Sequence, residues 1–210
     1  MTNDVRDSYD DMAEHYAALF LGDLESDTNG RAWLARFAVL AGLRSGPIAD
    51  LGCGPGHVVD HLCELGLAVV GYDLSPGQIN EARRAFPDSQ FQVADFAALD
   101  HPDGSVGGIV ARYSLIHMGP SELGDVLVEW ARVLEPGAPV LISFFASPSA
   151  EEHGEPFDHA VVTAYALFPA TIAQQLRNAG FTELEVDICD PPAGGRPLDH
   201  ATILARKHST

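Results

Sequence analysis

A chain of 210 residues, 46% hydrophobic and 20% charged, is long enough to bury a full core without disulfide or metal staples. Its 30 acidic side chains against 12 basic ones give a formal charge of −18. That charge repels phosphate backbones and anionic lipid, and so argues against a nucleic-acid partner or a membrane surface.

The apolar runs are shorter than a membrane span. Three scattered cysteines, Cys53, Cys63 and Cys189, form neither a disulfide framework nor a zinc-ligand spacing. The first residues are polar and carry no apolar leader segment. These features predict a cytoplasmic protein.

The elements follow in chain order. Tyr9, Met12, Tyr16, Leu19 and Phe20 recur at helical spacing, which predicts an amphipathic helix over 8–20. A second helix is expected over 31–43, with Asn29 as its cap. Residues 47–51 are a short apolar strand running into a glycine loop, and 57–65 read as the helix after it. Strands follow at 67–72, ended by Asp73, and at 91–94, 106–113 and 139–145. Helices follow at 76–86 and at 121–134, the latter capped by Ser121. Residues 147–168 break the alternation and read as an inserted loop or lid. A helix over 169–179 stops at Gly180. The last strands, 181–188 and 201–205, are joined by a Pro/Gly-rich turn whose shortness favours an antiparallel hairpin at the sheet's end. Alternating strands and helices predict a doubly wound α/β domain with a mostly parallel sheet.

The chemistry centres on Asp50-Leu51-Gly52-Cys53-Gly54-Pro55-Gly56. Such glycines let the backbone turn sharply and let a ligand rest on bare main chain at the carboxyl end of a parallel strand. Read alone, the loop is also compatible with a plain strand-to-helix turn. Asp73 lies 21 residues after Gly52, where a carboxylate accepts from both ribose hydroxyls; its other reading is a helix-capping residue. Nicotinamide enzymes use G-x-G-x-x-G with the pyrophosphate at the helix end. Here the glycines fall at 52, 54 and 56, and a carboxylate at Asp50 would repel a pyrophosphate and attract an ammonium group. S-adenosylmethionine carries that ammonium, a carboxylate and a ribose, and no phosphate.

The chain resembles the class I S-adenosylmethionine-dependent methyltransferases, especially small bacterial ones of the methyltransferase-domain 11/25 type. The likeness rests on the glycine motif, on 70–76 around Asp73, on Gln92-Val93-Ala94-Asp95-Phe96, on 112–118 and on the turn at 132–137. It implies a seven-stranded sheet of order 3-2-1-4-5-7-6 with strand 7 antiparallel. It also implies roles. Gly52, Cys53 and Gly54 lie against the methionine part, and Asp50 and Gly56 of the same motif are counted with the cofactor-binding residues. Asp73 holds the ribose and Leu74 covers the adenine. Asp95 accepts from the adenine amino group, Phe96 adds an N–H or ring contact, and Arg112 meets the methionine moiety. Tyr9 and Tyr16 match the Tyr-Asp-x-x-Ala-x-x-Tyr pattern of helices that fold over the cofactor; core packing at i, i+7 is the competing reading. The cofactor is then S-adenosyl-L-methionine and the product S-adenosyl-L-homocysteine.

Methyl transfer from a sulfonium asks mainly for positioning and exclusion of water, with a base only for some acceptors. His117 is the candidate base, and a structural histidine fixing the loop at Gly119-Pro120 is the other reading. Tyr113, His117, His159 and Tyr165 are candidate substrate contacts. The acidic and histidine residues of the insert, Glu151, Glu152, His153, Glu155, Asp158 and His159, have no fixed ligand spacing, so no metal is expected. The expected protein is a single domain over 1–210, with cap helices in 1–45 and the lid at 147–168. It methylates an oxygen or nitrogen of a small molecule and works as a monomer or homodimer. The alternatives are a non-catalytic or non-methylating binder of S-adenosylmethionine, and a nicotinamide-dependent oxidoreductase.

Overall fold

The computed structural model describes residues 3–119, 122–151, 153–159, 161–191 and 196–209. Four helices lead: α1 (Asn3–Asp11), α2 (Ala13–Phe20), α3 (Asp23–Ser26) and α4 (Thr28–Ala41). Then come β1 (Ile48–Leu51), α5 (His57–Glu64), β2 (Val69–Asp73), α6 (Pro76–Ala85), β3 (Gln90–Val93) and β4 (Gly108–Arg112). A single 3₁₀ turn at Leu115–His117 precedes α7 (Leu123–Val133) and β5 (Pro139–Phe145). The chain ends with β6 (Glu155–Phe157), β7 (Ala164–Ala166), α8 (Pro169–Asn178), β8 (Phe181–Cys189) and β9 (His200–Lys207).

Seven strands form one sheet of order β3-β2-β1-β4-β5-β9-β8, and β6 and β7 form a separate hairpin. β1 to β5 pair in parallel, while β9 runs antiparallel to both β5 and β8. This is the expected order, with β9 in the place of strand 7. The central strands are buried on both faces because helices cover both sides: every residue of β1 is buried, as is all of β5 up to Phe144. On one face Trp130, Phe144, Leu176 and Phe181 join a single apolar layer. On the other, Leu34, Phe37, Val59, Leu62 and Ile79 form a second layer under α4, α5 and α6. Each such large side chain contributes about 1.5–3 kcal/mol on burial.

Two expectations need correction. The single helix over 8–20 is two helices, because the backbone leaves helical geometry at Met12 (φ −110°, ψ 9°). The cap of α4 is Asp27, whose carboxylate accepts from the Gly30 N–H at 2.8 Å. Asn29 instead lies inside the helix and donates to Asp187 at 3.0 Å. Ser121, expected to cap α7, lies outside the described residues, as do Pro120, Glu152 and Ala160 of the loop and insert. Within 147–168 the described residues include the β6–β7 hairpin, with Glu155 opposite Ala166 and Phe157 opposite Ala164.

Candidate active site

Strand order reverses at β1, which has β2 on one side and β4 on the other. A crevice opens at the carboxyl ends of such strands. Gly52, Gly54 and Gly56 turn the chain from β1 into α5 at φ +76°, +52° and +90°. Gly52 also lies so close to β4's outgoing chain that a Cβ would stand 2.3 Å from the Ser114 Cβ. The loop's own donors are consumed within the fold. The Gly52 and Cys53 N–H groups donate to the Tyr72 carbonyl at 2.7 and 3.0 Å, and Gly56 N–H donates to the Cys53 carbonyl at 3.0 Å. The Gly54 N–H donates to Asp73 Oδ2 at 2.9 Å. A pyrophosphate seat needs free N–H groups in this place, so the loop is built for a ligand without one.

Asp73 ends β2. Its second oxygen accepts from the Ser75 N–H at 2.9 Å, so the carboxylate is fixed in direction yet keeps lone pairs for further donors. Burial raises its pKa, against the pull of the two N–H bonds. Ser75 caps α6, accepting from the Gln78 N–H at 3.0 Å, with Pro76 at the first helical position. Asp10 of α1 closes over the same helix end. It accepts from the Ser75 hydroxyl at 2.5 Å and from the Gly77 N–H at 2.7 Å. This bond pair fastens the N-terminal helices beside Asp73, with Tyr9 adjacent and Tyr16 at 5.3 Å from the Tyr9 ring.

Buried polar atoms without a partner gather around the loop. They include Asp50 Oδ2, Ser114 Oγ, Arg112 Nε, His57 Nδ1 and both amide atoms of Gln78. Buried polar groups are normally satisfied, so this set fits a polar ligand. Asp50 is the sharpest case: burial pushes its carboxyl up to about 7, with Arg112 opposing and Asp73 reinforcing the shift. Arg112 is held by Asp27 at 2.5 Å, so the α4 cap also anchors the guanidinium.

His117 lies in the 3₁₀ turn beyond β4. Its Nδ1 faces the Thr163 carbonyl at 3.0 Å and must donate there, which leaves Nε2 as an acceptor. The Tyr9 hydroxyl donates to Nε2 at 2.8 Å. Burial holds His117 below the ordinary imidazole range, and holds His159, 5.2 Å away ring to ring, at about 4. Burial also pushes Tyr9 far above the ordinary phenol range and Tyr16 up to about 12. A second pair lies alongside: the Tyr113 hydroxyl meets His200 Nδ1 at 2.7 Å.

Of the expected site residues, Tyr9, Tyr16, Gly52, Gly54, Asp73, Leu74, Arg112, Tyr113 and His117 line one cleft of about 490 Å³, part of it open to solvent. Asp50, Cys53, Gly56, Asp95, Phe96, His159 and Tyr165 are not in its lining. Cys53 packs its thiol in the second apolar layer. A Cβ on Gly56 would meet the Phe91 ring at 2.7 Å, so its role is packing. Asp95 is half-buried and accepts from the Ala97 N–H at 2.9 Å. The Phe96 ring is in the core beside Trp130, whose indole donates to the Phe96 carbonyl at 3.0 Å. Tyr165 packs against the first apolar layer. Sequence reasoning missed Val5, Arg6, Ser75 and Ser114 in the lining, and Asp10, Asp27 and Thr163 behind it. Asp10 sits inside the tyrosine pattern that was read; a backbone carbonyl such as that of Thr163 leaves no mark in a sequence. Among the described residues no three His, Cys, Asp or Glu side chains converge on a metal position.

A family model described as a methyltransferase domain matches residues 48–137. The chain is 31% identical over 147 residues to demethylmenaquinone methyltransferase of Beutenbergia cavernae, covering 70% of this chain and 60% of that one. It therefore spans less than two thirds of that relative. It is 31% identical over 187 residues to trans-aconitate 2-methyltransferase of Methylobacterium nodulans, covering 83% of this chain and 67% of that one. Among solved structures, magnesium protoporphyrin IX methyltransferase from Synechocystis PCC 6803 with bound S-adenosylmethionine shares the fold, at TM-score 0.72 and 19% identity over 99% of this chain and 98% of that one. With the strand order, the glycine loop at the switch point and these matches together, the chain belongs to the class I S-adenosylmethionine-dependent methyltransferases, the family whose cofactor is S-adenosylmethionine.

Proposed function

We propose that the chain transfers the methyl group of S-adenosylmethionine to an oxygen or nitrogen of a small molecule and releases S-adenosylhomocysteine. One observation carries the reading: Asp73, aimed by two N–H bonds, stands beside a glycine loop whose donors are already used. That pairing suits a ribose without a phosphate. When bound, the cofactor supplies an electrophilic methyl on a sulfonium, a good leaving group.

The chain's own residues do the rest. Asp73 takes the ribose hydroxyls, with Leu74 on the adenine side. Asp95 lies at the end of the same edge, half-buried, for the adenine amino group. Asp50 offers its unpartnered oxygen as negative charge for the ammonium, and Arg112 offers its guanidinium to the carboxylate. Tyr9 and Tyr16 roof the cleft and exclude water, which strengthens each of these polar contacts. His117 Nε2 is the proton acceptor for an acceptor that needs one. Residues 1–45 act as the cap and 147–168 as the lid of one catalytic unit. The −18 charge supports a small-molecule acceptor over a nucleic acid.

The test uses S-adenosylmethionine with a deuterated methyl group and a pooled library of hydroxyl and amine acceptors, read by mass spectrometry. The expected result is one labelled methyl on a product for each S-adenosylhomocysteine formed. Cofactor binding with no transfer to any pool would instead make the chain a non-methylating binder.

A further inference from the structure

The hydrogen-bonding state of His117 restricts what it receives. Its Nδ1–H is committed to the Thr163 carbonyl, so Nε2 accepts and does not donate. The groups that face it are uncharged: the Tyr9 hydroxyl and the His159 ring. A phenol is already seated there, its oxygen 2.8 Å from Nε2 and its ring 5.4 Å from the imidazole in an edge-on packing. Tyr9 is no base itself, since burial holds its proton on.

Of the rings that follow, Tyr113 lines the cleft and the others extend behind it. Tyr113, Phe145, Phe157 and His159 make a continuous run of ring contacts from the end of β4 to the hairpin, at 5.2, 5.3 and 6.4 Å between successive centroids. The two guanidiniums of the cleft are each held by a carboxylate, Arg112 by Asp27 and Arg6 by Asp7. Arg196 lies over the Phe157 ring at 4.9 Å, and its charge helps to keep His159 neutral. Among the described residues, neither a cation nor a carboxylate is in hydrogen-bond contact with the His117 ring.

We infer that the methyl acceptor is a planar aromatic ring carrying a hydroxyl, bound with that hydroxyl on His117 Nε2 in the place the Tyr9 hydroxyl takes here. This rests on the methyltransferase reading above. The acceptor's O–H bond breaks and its proton goes to Nε2. The oxygen's electron pair forms the new O–CH₃ bond as the S–CH₃ bond breaks, and the S–CH₃ bonding pair stays on sulfur, leaving a neutral thioether. Tyr9 is displaced by the acceptor and returns after release, so it acts as a competitor for the same lone pair.

The test loads the full chain with S-adenosylhomocysteine and titrates it with 2-naphthol, 2-methoxynaphthalene, 2-naphthoate and 2-naphthylmethylamine, read by calorimetry and by 2-naphthol fluorescence. The expected order puts 2-naphthol first, tighter than its methyl ether by about three- to tenfold, the scale of one neutral hydrogen bond. Naphtholate emission should appear on binding, because an excited naphthol passes its proton to an adjacent base. Tyr9→Phe should tighten 2-naphthol by a similar factor, and His117→Leu should erase both the preference and the emission. The proposal is overturned if the ether binds as well as the naphthol, if the acid or amine binds best, or if Tyr9→Phe weakens 2-naphthol. Failure to bind S-adenosylhomocysteine at the outset strikes the methyltransferase reading itself; binding of it without 2-naphthol strikes the acceptor class alone.

Discussion

The Asp10 carboxylate accepts the Ser75 hydroxyl at 2.5 Å and thereby fastens the first helix to the residue that caps α6, two positions after Asp73. The contact is tight on both sides: a Cβ on Gly77 would stand 2.9 Å from the Asp10 carboxylate and 3.0 Å from Ala13. The roof of the cleft is thus built from the same helix end that presents the ribose carboxylate. Asp10→Ala removes an acceptor from two donors, each about 1.5–3 kcal/mol as a hydrogen bond to a charged group and partly replaced by water. The expected result is faster amide exchange across α1 and affinity for S-adenosylhomocysteine weakened by roughly tenfold. Unchanged exchange and affinity would mean that the helix is held by its apolar face alone.

Asp73 has two duties, and they separate by substitution. Asp73→Asn keeps an acceptor oxygen for one of the N–H groups of Gly54 and Ser75, while Asp73→Ala leaves both donors without their acceptor. Both variants should weaken cofactor binding by about 2–4 kcal/mol, the scale for cutting one side of a buried charged pair. Asp73→Ala should lower stability by about 1–3 kcal/mol, and Asp73→Asn by less, since it strands one donor and not two. Calorimetry with S-adenosylhomocysteine and urea unfolding distinguish the two effects.

Asp50 makes cofactor binding depend on pH. Its folded pKa is raised to about 7 from 3.8, so between about pH 4 and 7 the folded chain holds a proton that the unfolded chain has released. The sign follows: this residue's contribution to stability falls as pH rises through that window. A cationic ligand prefers the ionised carboxylate, so S-adenosylmethionine affinity should rise from pH 6 to pH 8 with proton release near neutrality. Calorimetry in buffers of different ionisation enthalpy counts that proton. In Asp50→Asn the release should vanish.

His57 acts in the opposite direction. Burial, with Arg112 nearby, lowers it from 6.5 to about 4, so the unfolded chain binds a proton before the folded one does. Its stabilisation is present above pH 6.5 and is lost as pH falls toward 4, a change of up to about 3 kcal/mol. His57→Asn should flatten the acid limb of a plot of urea stability against pH, and an unchanged limb would assign the acid sensitivity to other groups.

Much of this architecture is legible from residue patterns because local chemistry dictates it. Asp50 to Gly56 can turn from strand to helix only with glycines at positive φ, and Leu74-Ser75-Pro76 announces the next helix start. The short link before β9 forces the antiparallel hairpin. What the sequence does not disclose are long-range partnerships. Asp27 caps α4 because its carboxylate also reaches Arg112, 85 residues away, whereas Asn29 is an equally good cap by type and is drawn off by Asp187. His200 carries no local signal and gains its place through Tyr113, Phe145 and the strand pairing of β9. Phe96 follows Asp95 in the motif, yet its ring turns into the core because Trp130 supplies the partner.

The central claim, a cleft built for an adenosyl sulfonium and not for a nicotinamide dinucleotide, is tested most directly by thermal shift with four ligands: S-adenosylmethionine, S-adenosylhomocysteine, NAD and NADH. At about 100 times its dissociation constant a ligand adds about 2.7 kcal/mol, or roughly 5–10 °C for a chain of this size. The account predicts that shift with the two adenosyl ligands and none with either dinucleotide. A shift with NAD or NADH alone would contradict it.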